Sequence, residues 1–394
     1  MRLGRRAAFF AVAYAFAVTA LGTTIPTPLY GIYQERFGFS ELTITLIYGT
    51  YAAGVIAGLL LFGSLSDQIG RRRTLLPGIA VSAASAVVFL LAKGLAPLFL
   101  GRVLSGLSIG IFTGTATAAL IDFAGPGESG RATLASTVAN MGGLGLGPLI
   151  AGALAEWATD PLHLPFWVDL ALLAPAALAI WAIPEPVARS GRPRLTPQAL
   201  SVPAEMRPIF LRASLAGFAG FAVLGTFSGA SPGFLAEVLG VTNHFVVGLV
   251  AFIVFASSTA GQLLVGRLGE GRSLRLGCAA MVLGLAFIFA AMLAESLAPL
   301  IAGGIVAGCG QGLSFRAGLG AVNAAAPAER RAEVASSFFV VAFVALSLPV
   351  IGIGVLADLA NLRTAGLVFA AVVAALAATA LALLAREPSP EPAT

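Results

Sequence analysis

Twelve apolar stretches of about twenty residues, separated by short charged or Pro- and Gly-rich breaks, decide what this chain can fold into. Cutting at the breaks gives 8–33, 42–62, 74–92, 97–121, 132–155, 164–183, 209–230, 244–265, 276–294, 299–322, 334–356 and 364–385. A helix crosses about 30 Å of hydrocarbon with roughly 20 residues. Only helices and closed barrels satisfy every backbone group in lipid, and a barrel reads as alternating segments of about ten residues. The spacing therefore predicts an all-α membrane protein with twelve transmembrane helices. Composition excludes the alternatives. Of 394 residues, 58% are hydrophobic and 10% charged, whereas a soluble domain carries about 25% charged residues. A soluble enzyme, a nucleic-acid-binding protein and a disordered chain are ruled out. The net charge of +5 is no sign of nucleic acid, because the arginines cluster between the apolar runs.

Those clusters orient the chain. With the N-terminus in the cytoplasm, eighteen of the 23 basic residues fall in cytoplasmic segments. They include Arg2, Arg5 and Arg6, Arg71 to Arg73, Arg131, Arg189, Arg192 and Arg194, Arg272, and Arg330 and Arg331. The outer loops hold Arg36, Lys93 and Arg363, and Arg102 and Arg316 lie within spans. This positive-inside bias puts both termini in the cytoplasm and the protein in the plasma membrane. The first apolar run exceeds the 7–15 residues of a signal peptide's apolar region and reads as a retained helix. Cys278 and Cys309 sit in apolar runs, and with His163 and His244 they assemble no metal site. No cofactor is expected. No Walker loop, HExxH or GxSxG occurs, so the chain is not read as an enzyme.

The segment 184–208 carries six prolines and four arginines, the composition of a linker. It divides the chain into 1–183 and 209–385, six spans each, with a tail at 386–394. The halves repeat. Gly58-Leu-Leu-Leu-Phe-Gly63 parallels Gly261-Gln-Leu-Leu-Val-Gly266 at an offset of 203, and Asp67 falls on Glu270. Gly106 and Gly110 fall on Gly308 and Gly312 at 202, Glu128 on Glu329 and Pro148 on Pro349 at 201, and Arg131 on Arg331 at 200. Loop acids, loop arginines and a mid-span proline recurring in order indicate duplication. Two six-helix bundles related by pseudo-two-fold symmetry, with the substrate site between them, are a known transporter architecture.

The loop after span two reads Gly63-Ser-Leu-Ser-Asp67-Gln-Ile-Gly70-Arg71-Arg72-Arg73. It resembles the signature loop of the major facilitator superfamily, G-x-L-x-D-x-x-G-R-R/K-R/K, in letters and in position. A degenerate copy (Gly266, Leu268, Glu270, Arg272) lies between spans eight and nine. Gly63 suits a close helix approach and Gly70 a tight turn. A carboxylate such as Asp67 is favoured at a helix N-terminus. The resemblance implies that Asp67, Arg71 and Asp122, with Arg72 beside them, form a conformational latch that holds the halves together in the outward-facing state, Asp67 facing the start of span eleven.

Span four holds Arg102-Val-Leu-Ser105-Gly106-Leu-Ser-Ile-Gly110. This is similar to the family's R-x-x-Q-G-x-G pattern, with Ser105 for Gln and the second glycine displaced. The resemblance links Arg102 to proton coupling; snorkelling to the outer surface is the alternative. Asp169 in span six is a second candidate, since a buried acid can bind and release a proton; a surface-facing acid at a helix end is the alternative. Span five holds Gly143, Gly145, Gly147, Pro148, Ala151 and Gly152. It resembles the G-P-x-x-G-G element of drug/proton antiporters, with Ala151 for one glycine. Its glycines are expected to pack on a partner helix such as span eight. Arg316 in span ten is read as a substrate contact or an inter-helix salt bridge. Tyr14, Tyr48, Tyr51, Asn140, Gln262, Gln311, Phe338 and Phe339 are the aromatic and polar residues expected around the cavity.

Together these features imply a monomeric secondary active transporter that works by alternating access. Its partners are a small-molecule substrate, protons and the lipid bilayer. The expected activity is proton-coupled efflux of small amphipathic compounds or sugars; uptake or facilitated diffusion of a metabolite is the alternative.

Overall fold

The computed structural model describes residues 2–63, 65–125, 127–187 and 197–386. Arg189, Arg192 and Arg194 of the linker and the tail beyond Arg386 lie outside the described residues. Twelve helices are long and apolar enough to cross a membrane, and we number them α1 to α12. They are Arg5–Phe37, Glu41–Phe62, Arg71–Leu90, Leu95–Phe123, Ser129–Trp157, Leu164–Ala182, Ala204–Gly229, His244–Leu268, Glu270–Ala294, Leu297–Ala325, Ala328–Leu359 and Leu362–Ala385. The protein is an all-α membrane protein.

Each helix covers one sequence-derived span, and most run past it. The apolar stretch reports the hydrocarbon layer, whereas the helix continues until a glycine, proline or cap stops it. Thus α9 starts at Glu270 and carries Arg272 and Arg275 on its first turns. Span one differs most from the expected unbroken helix. It is helical over Arg5–Thr24, has a 3-10 turn at Thr27–Leu29, and resumes as helix at Tyr30–Phe37. Pro26 and Pro28 lie within the break; neither has an N–H to offer the carbonyl four residues back.

All three tryptophans stand near helix ends, Trp157 on α5 and Trp167 and Trp181 on α6, each at least 60% exposed. This is the membrane-interface position of amphipathic rings. With an even number of spans, both ends of the described chain lie at one face of the bundle. We call it the near end and the opposite face the far end.

Small residues set the closest helix crossings, and the crossings recur. A side chain at Gly58 of α2 would run into the Leu107 carbonyl and Gly110 of α4, and one at Gly110 into the Val55 carbonyl. In α8 and α10, Gly261 faces the Cys309 carbonyl and Gly312 the Ser258 carbonyl. Leu107 and Cys309 are 202 positions apart, Val55 and Ser258 203, the offsets of the glycines themselves. Gly63 has no such role. Among the described residues its nearest atoms belong to Leu59 of its own helix.

Two helix pairs supply most of the contact between α1–α6 and α7–α12: α2 packs on α11 and α5 on α8. Their far-end contacts are equivalent. Gly152 of α5 meets His244 and Gly248 of α8, and Gly354 of α11 meets Leu42 and Thr45 of α2. Trp157 lies on Phe245 at 5.0 Å, and the His244 N–H donates to Glu156 at 2.9 Å. These contacts run from the far end to the middle of the membrane, where Gly145 meets Phe252 and Phe255.

Candidate functional site: a central cavity and a charged loop

Where those contacts stop, a cavity lies between the two sets of helices. Thr23, Thr24, Tyr48, Tyr51, Arg102, Thr113 and Asn140 supply the polar groups of one wall, from α1, α2, α4 and α5, with Ile109, Met141 and Leu144 between them. Phe221, Leu224, Phe255, Phe315, Phe339, Phe343 and Leu346 supply a wall from α7, α8, α10 and α11 that is apolar except for Ser228. The free volume is about 70 Å³, room for water but not for a drug-sized molecule. A ligand of that size requires the walls to stand further apart.

Arg102 is the one charged residue lining the cavity. It is 1% exposed and so does not snorkel. Its Nη1 donates to the Thr23 carbonyl at 2.5 Å. That carbonyl belongs to the last helical turn before the proline break of α1, so the break and the arginine meet at one point. The guanidinium carbon lies 4.7 Å from the Tyr51 ring centre and 5.2 Å from that of Tyr48, the cation–π arrangement. Nε has no partner. Sequence reasoning did not reach the Thr23 carbonyl; Pro26 and Pro28 were the available signal.

Asp169 is 2% exposed, its carboxylate lies against Gly22 of α1, and Oδ1 has no partner. Arg102 and Asp169 thus meet α1 at adjacent residues, about 100° apart around the helix. They form no ion pair with each other among the described residues.

Of the other expected cavity residues, Tyr51, Asn140, Phe339 and Tyr48 line it. Tyr14 faces outward, its hydroxyl donating to the Leu172 carbonyl at 3.0 Å. Gln262 and Gln311 form a buried network outside the lining: Ser258 donates to Gln311 Oε1 at 2.5 Å, and Gln262 Nε2 donates to Ser258 at 3.4 Å. Arg316 Nη1 donates to the Gln262 carbonyl at 2.8 Å, which is neither a salt bridge nor a cavity contact. Phe338 packs edge-on against Phe210, outside the lining. The glycines of α5 serve two partners. Gly143 and Gly147 meet the Ala17 and Leu21 carbonyls of α1, and Gly145 and Gly152 meet α8. Pro148 lies between, its carbonyl against Gly248 of α8.

The charged loop is at the near end. Arg71 Nε donates to Asp122 at 2.9 Å, and its Nη1 to Asp67 at 2.5 Å and to Ser66 at 2.8 Å. The expected Arg71–Asp122 pair is therefore built, within α1–α6. Asp67 pairs with Arg71, and its side chain is 67% exposed. The carboxylate at the N-terminus of α3 is Glu185, just after α6, a contact not expected from the sequence. It accepts the Arg71 N–H at 2.7 Å and the Arg72 N–H at 3.2 Å. Gly70 makes this possible: its φ is +106°, and a side chain there would occupy the space of the Glu185 carboxyl. Arg72 reaches the Trp181 carbonyl at 3.3 Å. Glu185 lies too far from Gly70 in sequence for local pattern reading to connect them. Near the start of α5, the Gly125 N–H holds the Glu128 carboxyl below the usual carboxylate range.

Residues 12–348 match the family model described as Major Facilitator Superfamily. Multidrug transporter MdfA of Edwardsiella ictaluri is 32% identical over 312 residues, covering 74% of this chain and 73% of that protein. The inner membrane transport protein YajR of Escherichia coli is 31% identical over 193 residues, 47% of this chain and 40% of that protein's length. Among solved structures, a bacterial homolog to the human lysosomal transporter Spinster, in an inward-facing and unoccupied conformation, superposes with a TM-score of 0.75 at 16% identity. That match covers 98% of this chain and 99% of the other. Helix order, signature loop, family model and relatives agree: this chain belongs to the Major Facilitator Superfamily and is a transporter, not an enzyme.

Proposed function

We propose that the protein is a proton-coupled secondary transporter that exports small amphipathic compounds by alternating access, with the central cavity as the substrate site. One observation carries this reading: a mid-membrane cavity whose charge and most of whose polar groups come from one half of the chain and whose phenylalanines come from the other. Such a cavity matches a molecule with a polar end and an apolar body better than a sugar, which is polar all round. The name of the relative MdfA, a multidrug transporter, points the same way.

In this reading the linker 184–208 joins two bodies, 1–183 and 209–385, that rock about the cavity. The arginine bias puts the near end and both termini in the cytoplasm of a cell bounded by this membrane. Contacts between the bodies from the far end to mid-membrane then correspond to an inward-facing state, in which Asp67 is free of α11. When the near end closes, Asp67 reaches the start of α11 and the latch forms. Asp169 and Arg102 are the coupling charges, Asp169 as proton carrier and Arg102 as the fixed charge of the cavity. The protein acts as a monomer.

Proteoliposomes test this. An imposed pH gradient should drive accumulation of an amphipathic substrate against its own gradient, and dissipating the gradient should stop it. Transport at equal rates with and without the gradient would leave facilitated diffusion and remove the coupling.

A further inference from the structure

The reading above names an amphipathic substrate without its charge. Resting on that reading of the cavity, we infer that the substrate is a lipophilic organic anion. Its head group pairs with Arg102, and its apolar body lies on the phenylalanine wall.

The cavity lining holds one formal charge, positive, and no acid among the described residues pairs with it. No Asp or Glu belongs to the lining. Asp169, the nearest buried acid along α1, lies against Gly22 and is not paired with Arg102. The guanidinium is satisfied only in part. Nη1 donates to one carbonyl, two tyrosine faces cover the group, and the buried Nε–H has no acceptor. An uncompensated charge taken out of water is costly, and a guanidinium offers five donors in a planar fork that suits carboxylate, sulfonate or phosphate oxygens. A bound anion would supply the missing counter-charge and the missing acceptor together.

The opposite wall fixes the rest of the molecule. Phe221, Phe255, Phe315, Phe339 and Phe343 present aromatic surface with no charge of their own. They suit an aromatic or alkyl body and give a hydrophilic anion nothing to bind. Phenylalanine faces can also attract a cation. Here a cation would share a water-poor cavity with an unpaired arginine, and repulsion between two like charges grows as the effective dielectric falls. The charge balance therefore favours the anion.

Three probes with one apolar body decide the matter: 1-naphthaleneacetate, its neutral amide 1-naphthaleneacetamide, and the cation 2-(1-naphthyl)ethylamine. Binding is measured at equilibrium on the purified full chain in phosphatidylcholine nanodiscs, with empty nanodiscs correcting for partition into lipid. No proton gradient is present, so a failure of coupling cannot mimic a failure of this inference. The carboxylate is expected to bind at least about tenfold more tightly than the amide, about 1.4 kcal/mol, and the amine most weakly. In Arg102→Gln the carboxylate should lose more affinity than the amide, so that its advantage vanishes; Arg102→Lys should keep part of the advantage. Phe339→Ala should weaken all three probes alike. Amine binding as tight as carboxylate binding, an advantage that survives in Arg102→Gln, or no binding of any probe would each overturn the inference. If Arg102→Gln fails to fold, the wild-type order and Arg102→Lys still decide it.

Discussion

The crossing of α2 with α4 and that of α8 with α10 descend from one sequence pattern, and they now do different work. Both keep the glycines that let backbones touch: Gly58 and Gly110 in one, Gly261 and Gly312 in the other. The positions facing the cavity have diverged. At the offsets of 202 and 203, Arg102 corresponds to Gly304, Tyr48 to Ala251, Tyr51 to Val254 and Thr113 to Phe315. Arg102 stacks on Tyr51 in the first crossing, and in the second Gly304 sits against Val254. The same backbone contact thus supports a polar, charged wall on one side and an apolar wall on the other. A glycine against a carbonyl has no substitute, whereas a side chain pointing into a cavity is free to change. Duplication preserved the first kind of residue and released the second.

Substitutions at the two crossings and at the loops beyond them are expected to differ in effect. The largest concerns the shared crossings. Gly58→Leu and Gly261→Leu each force a side chain into a carbonyl of the neighbouring helix. Overpacking of this kind costs about 1–3 kcal/mol where the core can yield, and more against backbone. Both variants should lose the monodisperse peak in size-exclusion chromatography. If one folds normally and the other does not, the two crossings are not mechanically equivalent.

The second concerns the diverged positions. Arg102→Ala should remain folded and lose gradient-driven accumulation of substrate in proteoliposomes, with Asp169→Asn losing a smaller part. Gln311→Leu, in the network that does not line the cavity, should keep most transport. Full uphill transport by Arg102→Ala would deny the polar wall its role.

Third come the two near-end loops. A charged hydrogen bond made in one state only is worth about 1.5–3 kcal/mol, a population shift of about 10- to 100-fold. Asp67→Asn should therefore favour the inward-open state and slow turnover. Its counterpart Glu270 lies against Gly320 and has no ion pair among the described residues, so Glu270→Gln should change little. In a background without native cysteines, labelling of Phe339→Cys from the near end should speed up with Asp67→Asn and not with Glu270→Gln. Equal labelling in the two would make both loops simple topology anchors.

The smallest effect concerns the cap. Glu185→Gln keeps an acceptor at the N-terminus of α3 and loses the charge that complements the helix dipole, worth about 0.3–1 kcal/mol. Thermal unfolding should shift down by at most a few degrees, whereas Gly70→Ala, which meets both a positive φ and the Glu185 carboxyl, should cost more. A larger loss from Glu185→Gln would mean that it holds more than one helix end.

Much of this was legible in the chain before any coordinate. Twenty-residue apolar runs determined twelve helices, because lipid leaves the backbone no other partner. The signature loop identified Arg71 and Asp122 as partners, because short charged segments at helix ends have few places to go. Glycine pairs at matched offsets marked the crossings. Three things needed the tertiary structure. It assigned the α3 cap to Glu185, a contact across more than a hundred residues with no local periodicity to reveal it. It moved Gln262, Gln311 and Arg316 out of the cavity lining and Tyr14 to the outer surface, because a polar residue in a span can face a cavity, a neighbouring helix or lipid, and hydropathy does not tell these apart. It also left Arg102 buried beside a broken helix, with no acid paired to it among the described residues. Whether a charge within the membrane has a counter-charge depends on which helices become neighbours and how each is rotated, and that is fixed by packing over the whole bundle, not by the run of residues around the charge.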